Sequence, residues 1–301
     1  MRPSRLILLL ASAGLACADK SAATATTPAP VPPPAAIASA EPAPTPAPEP
    51  EATKPPEASA PALVAPEEPQ EAAAPATPRK VLVLGDSLAA TGFGALLEKR
   101  LDAHPDIECF RKAKRATGLA RPDFYDWEAE AKKAIEQRKP DLVVVIMGGN
   151  DGQDLASKSG KGKRVAWKSE GWADAYKGRV SDFLRGLSAE GRKILWLGLP
   201  RTDTTSFEQK LVTIREVQNL AVSELGDTAE YLDTSPFLTG KDGELLETAT
   251  IGKRKEQTLR DDDGIHFTMA GSEYFADKVY PEVLRVLGVA DAEPEGKKRR
   301  K

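Results

Sequence analysis

The sequence predicts an α/β fold, a three-layer α/β/α sandwich built on a five-stranded parallel sheet. Two observations lead to this prediction. Between residues 79 and 290, short runs rich in Val, Ile and Leu recur, and stretches with helical spacing of apolar residues separate them. A strand that reads as a continuous apolar run is buried on both faces. Alternating strands and helices then imply right-handed crossovers that cover both faces of a parallel sheet.

The individual elements follow from these runs in chain order. The predicted strands are residues 81–84, 107–110, 142–147, 194–199 and 229–232. The predicted helices are residues 89–101, 124–137, 172–188, 206–225 and 269–287. Thr268, just before the last helix, is a good N-cap because its hydroxyl can accept from a free backbone N–H of the first turn.

The first 18 residues have the features of a secretory signal. Arg2 and Arg5 precede an apolar run over residues 6–16, which is too short to span a bilayer. Cleavage after Ala18 would fit an A-x-A site, whereas Cys17 directly after the apolar run favours lipid attachment. Gly14 stands where a lipobox usually has Leu, so both processing routes remain open. We expect export to the periplasm or cell envelope in either case.

Residues 19–78 contain mostly Ala, Pro, Thr and Glu, including most of the 25 prolines. Such a segment cannot bury enough apolar surface to offset its conformational entropy, which predicts a disordered, partly extended linker. The linker leads to one globular domain over residues 79–290, and residues 291–301 form a basic tail that we expect to be disordered.

Composition argues against several functional classes. The net charge of −3 gives no case for nucleic acid. With Cys17 used in processing, Cys109 has no partner for an internal disulfide, and two cysteines with two histidines do not fit a usual zinc site. We therefore expect neither a metal nor a cofactor, and membrane contact only through a lipid on Cys17.

A nucleophile and a base are the central chemical prediction. Ser87 follows the first strand in a Gly-Asp-Ser-Leu turn, at the sheet edge where open α/β folds bind ligands. A serine needs a base to remove its proton, and the base needs a carboxylate to orient it. His266 lies three residues after Asp263, so one loop could supply both groups, with Asp263 the expected carboxylate rather than Asp261 or Asp262.

Two further loops carry neutral hydrogen-bond donors. Gly118 lies in a turn after the second strand, and Asn150 lies in Gly-Gly-Asn-Asp after the third. A backbone N–H and an amide can stabilise an oxyanion without titrating. With these residues in this order the chain resembles the SGNH hydrolases, or GDSL esterases, named for Ser, Gly, Asn and His. The resemblance covers roughly residues 80–287.

Longer strings at residues 117–127, 148–153 and 262–268 are similar to the DUF459 branch, found mostly in bacterial cell-envelope proteins. The resemblance implies a flavodoxin-like strand order, 2-1-3-4-5. It also implies a serine esterase with Ser87, Asp263 and His266 as catalytic residues, and with the N–H groups of Ser87 and Gly118 and the amide of Asn150 as the oxyanion hole.

The expected reaction is removal of O-acetyl or other O-acyl groups from an envelope polysaccharide or peptidoglycan. An O-acetyltransferase using the same acyl-enzyme and a catalytically silent glycan-binding module remain alternatives. A nucleotide binder is disfavoured because no glycine-rich phosphate loop follows the first strand.

Arg121, Asp126 and Trp127 are candidate contacts to a sugar, because an indole face and a forked cation suit a polar ring that carries carboxylates. Asp151 is a further candidate substrate contact. The alternative is a helix N-terminus at Asp126 with Trp127 in the core. The long loop over residues 152–171 carries five basic residues, which suggests a mobile cationic rim favouring an anionic polymer. A solvated surface loop would have the same composition.

Overall fold

The computed structural model describes residues 77–189 and 191–291. The predicted signal, Cys17, nearly all of the linker and all but the first residue of the tail lie outside this part of the chain. Within it, no helix is both long enough and apolar enough to cross a membrane.

A five-stranded, all-parallel sheet forms the centre, which confirms the predicted fold class. Its strands are β1 (Arg79–Gly85), β2 (Ile107–Ala113), β3 (Leu142–Ile146), β4 (Lys193–Leu197) and β5 (Ala229–Leu232). Their order, β2-β1-β3-β4-β5, is the one that the family resemblance implied. Gly85 pairs with both Ala113 and Ile146, so the loops after β1, β2 and β3 leave the sheet at one level.

The helices cover the sheet on both faces. They are α1 (Ser87–Ala90), α2 (Gly92–Asp102), α3 (Trp127–Arg138), α4 (Trp172–Leu187), α5 (Thr205–Ser223) and α6 (Met269–Leu287). Helix α2 packs on α6, and α4 packs on both α3 and α5. All four residues of the run 81–84 are buried, as expected for a strand covered on both faces.

The predicted first helix is in fact two helices, because the chain turns at Thr91. Thr91 has an extended backbone conformation, and its hydroxyl donates to the carbonyl of Leu88. A Cβ atom on Gly94 would lie 2.0 Å from the carbonyl oxygen of Ala89. Helix α2 can therefore start against α1 only because residue 94 is glycine.

An antiparallel hairpin of β6 (Thr248–Ile251) and β7 (Arg254–Thr258) was not predicted from the sequence. Its second strand reads Arg-Lys-Glu-Gln-Thr and is largely exposed, so it has no apolar run to indicate a strand. The hairpin packs against α6 and leads into the loop that carries His266.

Candidate active site

Ser87 lies at the mouth of a tight turn between β1 and α1. A Cβ atom on Gly85 would lie 2.1 Å from the carbonyl oxygen of Ile146, so only glycine allows β1 to end this close to β3. Asp86 caps α1 by accepting from the N–H of Leu88 at 3.1 Å. The turn thereby presents the half-buried Ser87 hydroxyl beyond the carboxyl ends of the strands.

The structure brings Ser87, His266 and Asp263 together from opposite ends of the domain. The Nε2 atom of His266 is 2.9 Å from the Ser87 hydroxyl oxygen, and its Nδ1 atom is 2.6 Å from Oδ2 of Asp263. The other Asp263 oxygen accepts from the N–H groups of Ile265 and His266, both at 2.8 Å. This arrangement allows the imidazole to take the serine proton while the carboxylate fixes its orientation.

Asp263 is held in its charged form. Partial burial raises its pKa, but the hydrogen bonds from the His266 ring and from the N–H groups of His266 and Ile265 outweigh that effect and lower the pKa to about 2. At neutral pH the carboxylate is therefore ionised, and it acts as a hydrogen-bond acceptor for the His266 ring without taking its proton.

Arg260, which sequence reasoning missed, closes the loop that carries Asp263 and His266. Arg260 and Phe267 form an isolated β-bridge at the base of this loop, and the guanidinium lies 4.1 Å from the centroid of the Phe267 ring. Its Nη1 donates to the carbonyl of Ile265 at 2.7 Å, and its Nη2 donates to the carbonyl of Arg201. Arginine can clamp several carbonyls in this way because its donors form a rigid fork.

The three predicted oxyanion donors lie in loops that meet at this edge. Asn150 donates one amide hydrogen to the carbonyl of Thr117 at 2.9 Å, which leaves its second hydrogen available. Within the described part of the chain, the N–H groups of Ser87 and Gly118 have no hydrogen-bond acceptor. Ser87 and Asn150 line the cavity at the Ser87 hydroxyl, whereas Gly118 is buried and lines a separate cavity with Trp127.

Asp86 connects the serine turn to the loop after β3. Besides capping α1, its carboxylate accepts from the N–H groups of Gly148 and Gly149, both at 3.1 Å. Burial raises the pKa of this carboxyl to about 6, although the three backbone hydrogen bonds oppose the shift. The contact fixes the two glycines that precede Asn150. The only sequence signal was its place inside the Gly-Asp-Ser-Leu turn.

The structure contradicts the prediction that Asp151 contacts substrate. Its side chain is fully buried and accepts from the N–H groups of Leu119 and Ala120, at 3.0 and 2.8 Å, and from the hydroxyl of Tyr176 at 2.8 Å. A Cβ atom on Gly118 would lie 2.1 Å from Oδ1 of Asp151. Asp151 therefore holds the Gly118 loop in place instead of facing a ligand.

For Trp127 the structure supports the alternative of a core residue at a helix N-terminus over a substrate contact. It is only 1% exposed, and its indole N–H donates to the Thr117 hydroxyl at 3.0 Å. As the first residue of α3, it serves as a core side chain and not as a stacking platform.

Arg121 is more exposed, but both arms of its guanidinium bind the carboxylate of Asp123, at 2.8 and 3.0 Å, and it does not line the cavity.

The basic loop is anchored against neighbouring elements. Leu155 and Val165 exchange two backbone hydrogen bonds across its neck, at 2.9 and 3.1 Å. Ala156 donates to the carbonyl of Ala120 at 3.0 Å, and Lys158 pairs with Glu128 at the start of α3. None of the five basic side chains lines the cavity next to Ser87, so the cationic rim remains a prediction without a contact to support it.

A cavity of about 130 Å³ opens beside the Ser87 hydroxyl. Residues from four loops line it, among them Ser87, Asn150 and His266. The remainder of the wall comes mainly from the loop after β4 and from α5. The nucleophile, the base and one oxyanion donor therefore face one shared space, as an acyl-transfer site requires.

Several solved structures are similar to this chain. EstA, a psychrotrophic esterase from Pseudoalteromonas sp., is 14% identical, with 70% of this chain and 99% of that chain covered and a TM-score of 0.48. A variant of Axe2, an acetyl xylan esterase from Geobacillus stearothermophilus, is 16% identical, with 72% and 98% covered and a TM-score of 0.49. TesA is 22% identical, with 69% and 99% covered and a TM-score of 0.45.

The two sequence comparisons give different results. Among curated proteins, none matches the chain. A family model does match, over residues 80–282, and its description is "Protein of unknown function (DUF459)". This match covers most of the chain and almost all of the globular part, and it confirms the branch indicated by the sequence motifs. The protein therefore belongs to the DUF459 family.

Proposed function

We propose that the protein is a serine acyl-ester hydrolase. The observation that carries this proposal is the continuous hydrogen-bonded chain from Asp263 through His266 to Ser87, ending at a cavity. A buried core serine would not need a base oriented by a carboxylate, and a binding module would not need a nucleophile aimed into its pocket.

The geometry supports a two-step mechanism. The Ser87 hydroxyl oxygen attacks the ester carbonyl carbon while Nε2 of His266 takes the proton, and Asp263 stabilises the resulting imidazolium. The N–H groups of Ser87 and Gly118 and the free amide hydrogen of Asn150 bind the oxyanion. His266 then protonates the leaving alcohol, and a water molecule activated by the same imidazole hydrolyses the acyl-enzyme.

The proposed substrate is an O-acylated polysaccharide or peptidoglycan of the cell envelope. The predicted secretory signal and the long Ala/Pro-rich linker support this, because together they would place the domain outside the cytoplasm with reach into the envelope. We further propose that Cys17 carries a lipid that anchors the linker to the membrane. All of these segments lie outside the described residues.

The test is turnover of p-nitrophenyl acetate by the purified protein and by Ser87→Ala and His266→Ala. Each substitution should lower kcat by about 10⁴-fold or more, because the nucleophile and base act as one unit. Ser223→Ala, at the exposed end of α5, is the matched control and should retain full activity.

A fluorophosphonate probe gives an independent readout, since it should label Ser87 in the parent protein and fail to label Ser87→Ala. If the folded parent neither hydrolyses the ester nor reacts with the probe, the hydrolase proposal is wrong. If an acyl-enzyme forms but passes its acyl group to an added glycan faster than to water, the protein is an O-acyltransferase.

A further inference from the structure

The cavity next to Ser87 has walls of a distinct chemical character. Besides Leu88 of α1, five apolar side chains line it, and they come from the loop after β4, from α5 and from the loop that carries His266. They are Leu199, Pro200, Phe207, Leu211 and Ile265. Leu199 and Leu211 are almost fully buried, so they belong to the rigid core and not to a mobile surface loop.

The cavity offers no partner for a charged substituent. Among the described residues that line it, the only ionisable ones are His266, which the mechanism uses, and Asp86, whose carboxylate already accepts three backbone N–H groups. No lysine or arginine of the described chain lines it. A carboxylate group entering this space would lose its hydration without gaining a lysine or arginine as counter-ion.

The size of the cavity decides which half of an ester it can hold. An apolar cavity of about 150 Å³ takes up one benzene molecule, and the cavity here measures about 130 Å³. A sugar residue within a polymer is larger than this and must stay connected to its neighbours. The alcohol half therefore remains outside, and only the acyl half can be enclosed.

We propose that the preferred substrate carries an uncharged, aliphatic acyl group of about four to six carbons, the number of carbons that a cavity of this size holds, and not an acetyl group. This inference rests on the proposed function and specifies its substrate class. Phe207 and Leu211 set the acyl length, because they line the wall contributed by α5.

The test compares kcat/KM for p-nitrophenyl esters of acetate, butanoate, hexanoate and decanoate, together with the p-nitrophenyl hemisuccinate. Each methylene buried in the cavity should raise kcat/KM about fourfold up to the length that fills it. Decanoate should fall below the optimum, and the hemisuccinate should be slower than butanoate by at least about tenfold, because its carboxylate is desolvated without a partner.

Two variants change the cavity in opposite directions. Leu211→Phe should shorten the optimum to acetate or butanoate, whereas Phe207→Ala should lengthen it. The control is Val212→Phe, the next residue on α5, which is 43% exposed and does not line the cavity. It should leave the chain-length profile unchanged. Phe207 is only half-buried, so Phe207→Ala remains informative if Leu211→Phe does not fold.

The outcomes separate the two proposals. A chain-length profile that is flat or best at acetate, with turnover still dependent on Ser87, would overturn the acyl-length inference and leave the hydrolase in place. A preference that follows the alcohol in a series of alkyl acetates would also overturn it, because the cavity would then hold the other half of the ester. Absence of turnover and of Ser87 labelling would overturn both.

Discussion

At the scale of single residues, two buried aspartates hold the backbone of the candidate active site in place. Asp86 binds the backbone before Asn150, and Asp151 binds the backbone after Gly118. Each carboxylate satisfies N–H groups that would otherwise be buried without a partner. Burial raises the pKa of both groups. The loops that carry the proposed oxyanion donors Gly118 and Asn150 are therefore positioned by acidic side chains.

Removing the Asp151 carboxylate should damage both stability and catalysis. In Asp151→Ala the N–H groups of Leu119 and Ala120 and the Tyr176 hydroxyl lose their acceptor, and each buried unsatisfied group costs about 1–3 kcal/mol. We expect the free energy of unfolding to fall by several kcal/mol, as measured by urea titration.

In the fraction of Asp151→Ala that remains folded, kcat for p-nitrophenyl acetate should fall by about 10²-fold, because Gly118 no longer aligns with the oxyanion. Asp182→Ala, an exposed carboxylate on α4, is the control and should change stability by no more than about 0.5 kcal/mol. Full activity in folded Asp151→Ala would show that Gly118 does not hold the oxyanion.

Asp86 should leave a signature in the pH dependence of stability. Its pKa is about 6 in the folded protein and has a reference value of 3.8, so the native state holds this proton more tightly than the unfolded state does. The associated stability is fully present below about pH 4 and is lost as the pH rises through 6. The change is on the order of 3 kcal/mol.

In Asp86→Asn the side chain at position 86 cannot ionise. Its amide oxygen also accepts fewer of the three N–H groups than the carboxylate does. The difference in the free energy of unfolding between the parent and the variant should therefore favour the parent more strongly at pH 4 than at pH 7. Urea titrations at both pH values measure this. A difference that is independent of pH would show that the carboxyl group has its ordinary pKa.

At the scale of secondary-structure elements, glycines show where the chain needs close contact and where it does not. Gly94 starts α2 directly against the carbonyl of Ala89, and Gly271 brings α6 to the carbonyl of Leu259, where an added Cβ atom would lie at 1.9 Å. Apart from the backbone of its own helix, Gly178, in the middle of α4, has no neighbour within 4 Å of the position of a Cβ atom. Identical residues therefore have different roles in neighbouring helices.

Gly178→Ala should stabilise the protein by about 0.5–1 kcal/mol, because alanine reduces the backbone freedom of the unfolded chain and has room in the helix. A thermal or urea unfolding curve measures the gain, with no expected change in kcat. Gly94→Ala provides the contrast and should destabilise the protein, since its Cβ atom meets backbone at 2.0 Å. Equal effects of the two substitutions would contradict the packing described for α1 and α2.

At the scale of the whole molecule, the site is built from loops that are distant in sequence. Ser87 and His266 are 179 residues apart and meet at 2.9 Å. They meet because the parallel strands all point their carboxyl ends to one edge, and because α6, which begins just after the His266 loop, packs against α2, which follows the Ser87 turn. The arrangement of strands is thus the direct cause of the catalytic geometry.

The proposed lipid anchor on Cys17 would determine where the whole protein is located. If Cys17 is lipidated, the protein should sediment with membranes after fractionation of a bacterial host, and Cys17→Ser should be released into the soluble periplasmic fraction. Mass spectrometry of the mature N-terminus checks the modification itself. A soluble parent protein with an unmodified N-terminus would favour ordinary signal cleavage.

The sequence by itself determined the fold class and the chemistry. Continuous apolar runs such as 81–84 require burial on both faces, and their alternation with helical stretches predicts a parallel sheet. The motif residues Ser87, Asn150 and His266 could be recognised because reactivity depends on residue type, which a sequence states directly.

Only the tertiary structure decided which polar residues face the substrate. Asp151 and Trp127 have the side chains of a sugar site, yet both are buried, because hydrogen-bond partners from α4 and from the loop between β2 and α3 enclose them. The clamp by Arg260, the role of Asp86 and the apolar wall near Ser87 were likewise hidden from the sequence. Each depends on groups brought together from separate segments, and spacing along the chain does not encode those distances.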